Sequence, residues 1–298
     1  MIYTEKALTS ESGVTKIISI TVNKECSYIV WLKILQKALK RNGWRQLIFY
    51  LSNLDIWRFI EYSTVYHHLT QKELIGRTIE LGAGYSVFPS FFSSEDYTVI
   101  DLGEGACEYQ NNYGTKAIVH DMTDLPFESG SIDTVIAISS IEHVPNDREV
   151  FSEISRVLSQ NGFAVISIPH TNKKTEVKPL AYPKWMKNIL YEYDKFWRGI
   201  LGNTNYTYFI EQTNTDSIIR FYNLSELRSI LETYDLEIKS YDLFGKYFSR
   251  WFFRFIPSGW FVFKDILFGW FLHKLENIFL HNSDIADGMI LLLEKKKC

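Results

Sequence analysis

The sequence predicts a doubly wound α/β fold with a mostly parallel sheet, and three observations lead to it. Short apolar runs recur at Thr78 to Leu81, Tyr97 to Ile100, Lys116 to Val119, Thr134 to Ile138 and Phe163 to Ile168. Several end at a polar loop, as buried parallel strands do. Between the last two, Asp147 to Leu158 sets Val150, Ile154, Val157 and Leu158 at helical spacing and closes on Asn161-Gly162, so strand and helix alternate. The first run ends in Gly82-Ala83-Gly84, a turn that brings backbone close to a ligand and feeds a helix through Val87, Phe88 and Phe91.

Ahead of this pattern, residues 1–75 read as a helical preface or lid. Tyr28, Trp31, Leu32, Leu35 and Leu39 fall on one face of an amphipathic helix, with Lys40 to Gly43 as its stop. A second helix runs through Ile56, Phe59 and Ile60 towards His67 and His68, with Asn53 or Asp55 as its cap. Residues 76–298 form the main domain. Within it, 171–222 is too long and irregular for an ordinary connection and reads as a cap. Asn223 and Glu226 suit a capping box for a helix from Leu224 to Glu232. Leu236 to Leu243 and Met289 to Leu293 supply a sixth and a seventh strand.

With 298 residues the chain buries a large core without disulfides or metals. Cys26, Cys107 and Cys298 are far apart and lack metal-ligand spacing, which suits a reducing compartment and predicts no metal site. A net charge of −3 gives no broad field for nucleic acid. The amino terminus lacks the basic and apolar order of a signal peptide, so a cytoplasmic location is expected. The stretch Trp251 to Leu280 is interrupted by charges before it reaches the roughly 18–20 apolar residues of a spanning helix.

The turn Gly82-Ala83-Gly84 fails as a dinucleotide fingerprint, because the third glycine of that pattern falls at Val87. Asp101 nonetheless ends the next strand, where a carboxylate accepts hydrogen bonds from a ribose diol. Together they point to a nucleoside site.

Glu80 to Ser86, Asp101, His120-Asp121-Met122 with Leu125-Pro126-Phe127, and Ile132-Asp133 with Ile141-Glu142-His143-Val144 resemble, in order and spacing, the successive motifs of class I S-adenosylmethionine-dependent methyltransferases. The similarity is to the broad small-molecule branch, of the type 11 kind. It is firm over Gly76 to His170, resumes from Arg220 to Leu243, and leaves the rest uncovered. The resemblance implies a Rossmann-like sheet of seven strands with the last antiparallel, and S-adenosylmethionine as cofactor. By the same resemblance, Glu80 holds the methionyl amino group, Gly82 and Gly84 bring backbone against the cofactor, and Asp101 grips the ribose. Asp121 accepts from the adenine amino group, Met122 flanks the ring, and Ser139 lies by the methionyl end. Ser86 replaces the usual third glycine.

Arg58 and Glu61 are three apart on the preface helix and either pair with each other in solvent or leave Arg58 to hold the methionyl carboxylate. His143 and His170, both at strand carboxyl ends, are the candidates for acceptor chemistry or else loop and packing residues. His67 and His68 are adjacent and point apart.

The insertion at 246–284, between the last two strands, interleaves Trp251, Trp260 and Trp270 and many phenylalanines with Lys246, Arg250, Arg254, Lys264 and Lys274. Such a pattern fits a membrane interface, a homodimer contact or lid through 246–279, or base stacking. The expected function is methyl transfer to a small-molecule, glycan or lipid-linked acceptor, with no nucleic-acid partner. The alternatives are a non-catalytic scaffold that recruits a partner or membrane through the insertion, and a nicotinamide oxidoreductase, which Val87 disfavours.

Overall fold

The computed structural model describes residues 56–72, 76–86, 88–91, 96–179, 218–244 and 286–296. It also describes the helical positions 32, 36, 40, 187, 188, 191, 192, 195, 196 and 199. The aromatic insertion, nearly all of the first 55 residues and most of the cap lie outside the described residues.

Nine strands and four α-helices have their full ranges among the described residues. Helix α1 spans Ile56–Gln71, β1 Thr78–Leu81, β2 Tyr97–Asp101, α2 Glu104–Asn112, β3 Lys116–Val119 and β4 Ile132–Ile138. Helix α3 spans Asp147–Val157, β5 Leu158–Pro169, β6 Glu176–Pro179, β7 Ile218–Phe221, α4 Leu224–Glu232, β8 Leu236–Phe244 and β9 Gly288–Lys295.

Seven strands form one sheet in the order β3-β2-β1-β4-β5-β9-β8. The first five are parallel, and β9 runs antiparallel between β5 and β8. This is the expected seven-stranded, mostly parallel sheet with its last strand reversed. Its core lies where α3 and α4 bury Val150, Phe151, Ile154, Leu227 and Leu231 with Ile79, Val135, Ile166 and Leu291 of the strands, and apolar burial of this kind supplies most of the stability. Preface helix α1 packs against β5 and β9, with Val65 and Leu69 fully buried. A buried His68 Nε2 to Asp242 Oδ2 contact of 2.9 Å ties it to β8.

Several local expectations change. Helix α2, absent from the sequence pattern, follows β2 and buries Ala106, Cys107, Tyr109 and Gln110. Helix α3 ends at Val157 because Leu158 turns extended, so Asn161-Gly162 lies inside β5 rather than closing the helix. The glycine turn leads into a short 3-10 turn at Phe88–Phe91. There the Ser86 hydroxyl accepts the Phe88 N–H at 3.0 Å, a local bond that competes with α-helical pairing.

The expected cap contains an antiparallel ribbon of β6 and β7 and helical positions including Tyr191 and Phe196. Only half of the capping box forms: Asn223 Oδ1 accepts the Ser225 and Glu226 N–H groups, while Glu226 accepts the Thr175 N–H instead. Leu32 is helical and 58 % exposed, while Tyr28, Trp31, Leu35 and Leu39 of the expected apolar face lie outside the described residues.

Candidate active site

Strand β1 continues to β2 on one side and its neighbour β4 continues to β5 on the other. Their carboxyl ends therefore flank the crevice where open α/β sheets take ligands.

From β1 comes the glycine loop. Gly82 and Gly84 have φ of +70° and +54°, the left-handed region that favours glycine. Their surroundings differ. A Cβ on Gly82 would sit 2.5 Å from Ser140 Cβ and 3.3 Å from Met122 Cε, whereas one on Gly84 would meet nothing within 4 Å. Gly82 is thus required by packing, and Gly84 presents bare backbone to open space.

Three elements brace this loop. Gln110 of α2 donates to the Gly84 and Ser86 carbonyls, each at 2.8 Å. Tyr62 of α1 shares a hydrogen bond of 2.9 Å with Ser86 Oγ and stacks near Phe88 at 5.2 Å. Asp101 accepts the Gly84 N–H at Oδ2, 2.8 Å, and the Gly103 N–H at Oδ1, 2.9 Å. Ser86, where a glycine is usual, therefore serves as a junction between the loop and the preface helix.

Burial raises the Asp101 carboxyl above its ordinary range, against the two N–H groups that favour its charge. Each oxygen is held by one N–H and keeps a lone pair. Glu80, one residue inside β1, is buried and accepts a short hydrogen bond from the Tyr97 phenol. Desolvation pushes its carboxyl up to about 8.

Beyond β3, Asp121 is exposed and its Oδ1 accepts the Thr123 N–H at 2.8 Å, a turn-forming bond. Met122 reaches the glycine loop through the Cε contact described above.

From β4 comes Ser139, a non-glycine residue at φ +47°. Such a conformation persists only where the surroundings impose it. Here the Ser139 N–H donates to the Ser167 carbonyl at 2.9 Å. Its hydroxyl donates to Glu61 Oε1 at 2.5 Å, and the Ser167 hydroxyl donates to the same oxygen at 2.6 Å. Glu61 Oε2 accepts from Arg58 Nη1 at 3.0 Å. Arg58 and Glu61 do pair, yet not in solvent: Glu61 is 4 % exposed and lies across the ends of β4 and β5.

The turn Ile141–His143 follows Ser139 and Ser140. Glu142 is buried, and His143 Nδ1 lies 2.8 Å from the Ile218 carbonyl of β7. Arg220 of β7 holds this loop by donating to the Val144 and Pro145 carbonyls and by pairing with Asp147 at 3.2 Å. His170, by contrast, is buried at the end of β5, with Nδ1 3.1 Å from the Ala286 carbonyl. Its backbone donates to Asp287, so its ring spans β5 and the approach to β9.

The crevice thus gathers Glu80, Gly82, Gly84, Asp101 and Met122 on one side, and Ser139, Arg58, Glu142 and His143 on the other. Sequence reasoning passed over Glu61 except as a partner for Arg58, and passed over Tyr62, Tyr97, Gln110 and Arg220. No motif marks these residues, because their roles arise from contacts between elements distant in sequence.

The sheet order and the glycine-acid crevice define the fold of class I S-adenosylmethionine-dependent methyltransferases. Residues 79–166 match the model of the family described as "Methyltransferase domain". S-adenosylmethionine is the cofactor of the family. No curated protein matches the chain. Among solved structures, it is similar to geranyl diphosphate C-methyltransferase from Streptomyces coelicolor A3(2), with 12 % identity, a TM-score of 0.47, and 79 % of this chain and 77 % of that chain covered. It is likewise similar to 1,6-didemethyltoxoflavin-N1-methyltransferase of Burkholderia thailandensis, with 11 % identity, a TM-score of 0.47, and 95 % and 94 % covered.

Proposed function

We propose that the chain transfers a methyl group from S-adenosylmethionine to a small-molecule, glycan or lipid-linked acceptor. The observation that carries this reading is the arrangement of Gly84 and Asp101: bare backbone facing open space, held by a carboxylate that retains lone pairs for a ribose diol. The donor set fits the cofactor elsewhere as well. Gly82 and Gly84 line the loop, Asp101 takes the ribose hydroxyls, and Asp121 with Met122 flanks the adenine. Glu80 and Ser139 lie towards the methionyl end, and Arg58 supplies the cation for its carboxylate.

When bound, the cofactor supplies an electrophilic methyl group on a sulfonium. Methyl transfer of this kind is an in-line displacement governed by alignment. The chain's task is therefore to hold two ligands in line and exclude water. His143, exposed in the turn after β4, is the candidate for contact with an acceptor, while His170, whose ring lies against the Ala286 carbonyl, is better suited to positioning that edge.

Calorimetry with S-adenosylhomocysteine and NAD tests the reading, since S-adenosylhomocysteine should bind and NAD should not. Tighter binding of NAD would overturn it. Arg58→Ala should weaken S-adenosylhomocysteine more than methylthioadenosine, which lacks the carboxylate. No helix among the described residues is long and apolar enough to cross a membrane. The basic, tryptophan-containing pattern of 246–279 supports docking on an anionic surface, and flotation with anionic vesicles at low and high salt tests that.

A further inference from the structure

Glu142 is 2 % exposed, and its Oε2 has no hydrogen-bond partner. An orphaned buried carboxyl oxygen is costly, so native structures rarely keep one without a use. It sits in the turn that follows β4 at the crevice, within electrostatic reach of Glu61 and Arg58 of α1. Arg58 does not satisfy it: its Nη1 is bonded to Glu61 at 3.0 Å, and none of its N–H groups is bonded to this oxygen.

The neighbouring ring, exposed in the same turn, offers a second acceptor. His143 Nδ1 faces the Ile218 carbonyl at 2.8 Å, and a carbonyl only accepts, so Nδ1 carries the proton. Partial desolvation, with the Arg58 charge, shifts the ring below its ordinary value, although 41 % of its side chain remains open to solvent. His143 Nε2 is therefore a bare acceptor, and it stands 3.9 Å from Glu142 Oε1. At that distance neither group is hydrogen-bonded to the other. An acceptor nitrogen beside a carboxyl with an unpartnered oxygen suits, once that carboxyl ionises, a group that carries several donors, no acceptor and a positive charge, which is the description of an ammonium.

We infer that Glu142 and His143 form a receptor for a protonated amine at the carboxyl end of β4. This rests on the methyltransferase reading only for the two sources such an amine has: the methionyl ammonium of the cofactor, or an amino group on the methyl acceptor.

A binding experiment separates these sources. In the first arm, S-adenosylhomocysteine and methylthioadenosine, which lacks the ammonium, are titrated into wild type and Glu142→Gln. In the second arm, phenethylamine and its alcohol counterpart 2-phenylethanol are titrated into both proteins, with and without S-adenosylhomocysteine. One charge-assisted hydrogen bond is expected to contribute about tenfold or more to the affected affinity ratio.

A drop of that size in the preference for S-adenosylhomocysteine over methylthioadenosine assigns the receptor to the cofactor. A drop in the preference for the amine over the alcohol assigns it to the acceptor. If both ratios are unchanged in a folded variant, the inference is wrong. Should Glu142→Gln fail to fold, the wild type still decides. Burial pushes the free Glu142 carboxyl up to about 8, so ammonium binding at pH 7 should ionise it and release a large part of one proton, read by calorimetry in two buffers of different ionisation enthalpy. No proton release would overturn the inference. Failure of wild type to bind S-adenosylhomocysteine would instead sink the methyltransferase reading, and the amine arm remains measurable on the free protein.

Discussion

Glu61 of α1 accepts the Ser139 hydroxyl at 2.5 Å, although the two residues are 78 positions apart. The same oxygen takes the Ser167 hydroxyl, so one buried carboxylate joins the preface helix to the ends of two central strands. Glu61→Ala would take from both hydroxyls the carboxylate they donate to, and its ion pair from Arg58, and is expected to lower stability by about 1–3 kcal/mol. Glu61→Gln, which retains an acceptor oxygen, should cost less. Urea unfolding measures both, and a Glu61→Ala midpoint matching wild type would mean that α1 is held by its apolar face alone.

The two glycines of the loop should separate under substitution. Gly82→Ala places a Cβ 2.5 Å from Ser140 Cβ at φ +70°, so both packing and backbone oppose it, and a loss of about 2–4 kcal/mol is expected. Gly84→Ala meets no neighbour and should lose only about 1–2 kcal/mol from its left-handed backbone. Its methyl group would project into the space assigned to the cofactor. Gly84→Ala should therefore remain folded yet bind S-adenosylhomocysteine weakly, and equal cofactor affinity in this variant and wild type would remove Gly84 from the site.

Asp101 has two duties, holding the loop through Gly84 and Gly103 and facing the ribose position. Asp101→Asn replaces one acceptor oxygen by an amide that only donates, against an N–H group that also donates. S-adenosylhomocysteine and methylthioadenosine, which both carry the ribose, are expected to weaken in parallel by about 1.5–3 kcal/mol. A loss confined to S-adenosylhomocysteine would move Asp101 from the ribose to the methionyl end.

Much of this architecture was legible because it is written locally. Parallel strands read as short apolar runs, and β1 and β3 begin and end where those runs do, with β2 one residue longer, although β3, at the edge of the sheet, is exposed at both ends rather than buried. The glycines and Asp101 follow from the turn at the end of β1 and the strand beside it. Helix α2 was not legible, since Glu104–Asn112 carries few apolar residues and its value lies in Gln110 reaching back to the loop carbonyls. Glu61 was half legible: its spacing predicts the bond to Arg58, while its burial depends on β4 and β5 arriving beneath it. Ser139 was placed by resemblance, and nothing in its type announces a left-handed backbone.

The stability of the ligand-free protein should fall as pH rises from about 4.5 to about 8. Glu80 and Glu142 share the cause: desolvation by burial raises each carboxyl from an ordinary 4.5 to about 8. Between those values the unfolded chain has released both protons and the folded chain still holds them. The folded state binds more protons, and the linkage relation then requires unfolding to become easier with rising pH. Below 4.5 both states are protonated and these two groups contribute no slope. Above 8 both are ionised and the loss is complete. Glu80→Gln keeps an acceptor for the Tyr97 phenol but cannot ionise, and Glu142→Gln removes the charge from the crevice turn. Each variant should flatten the pH dependence, the double variant most, when chemical unfolding is followed at pH 5, 6.5 and 8. A double variant whose stability falls as steeply as that of wild type would show that neither carboxyl is held protonated in the folded chain.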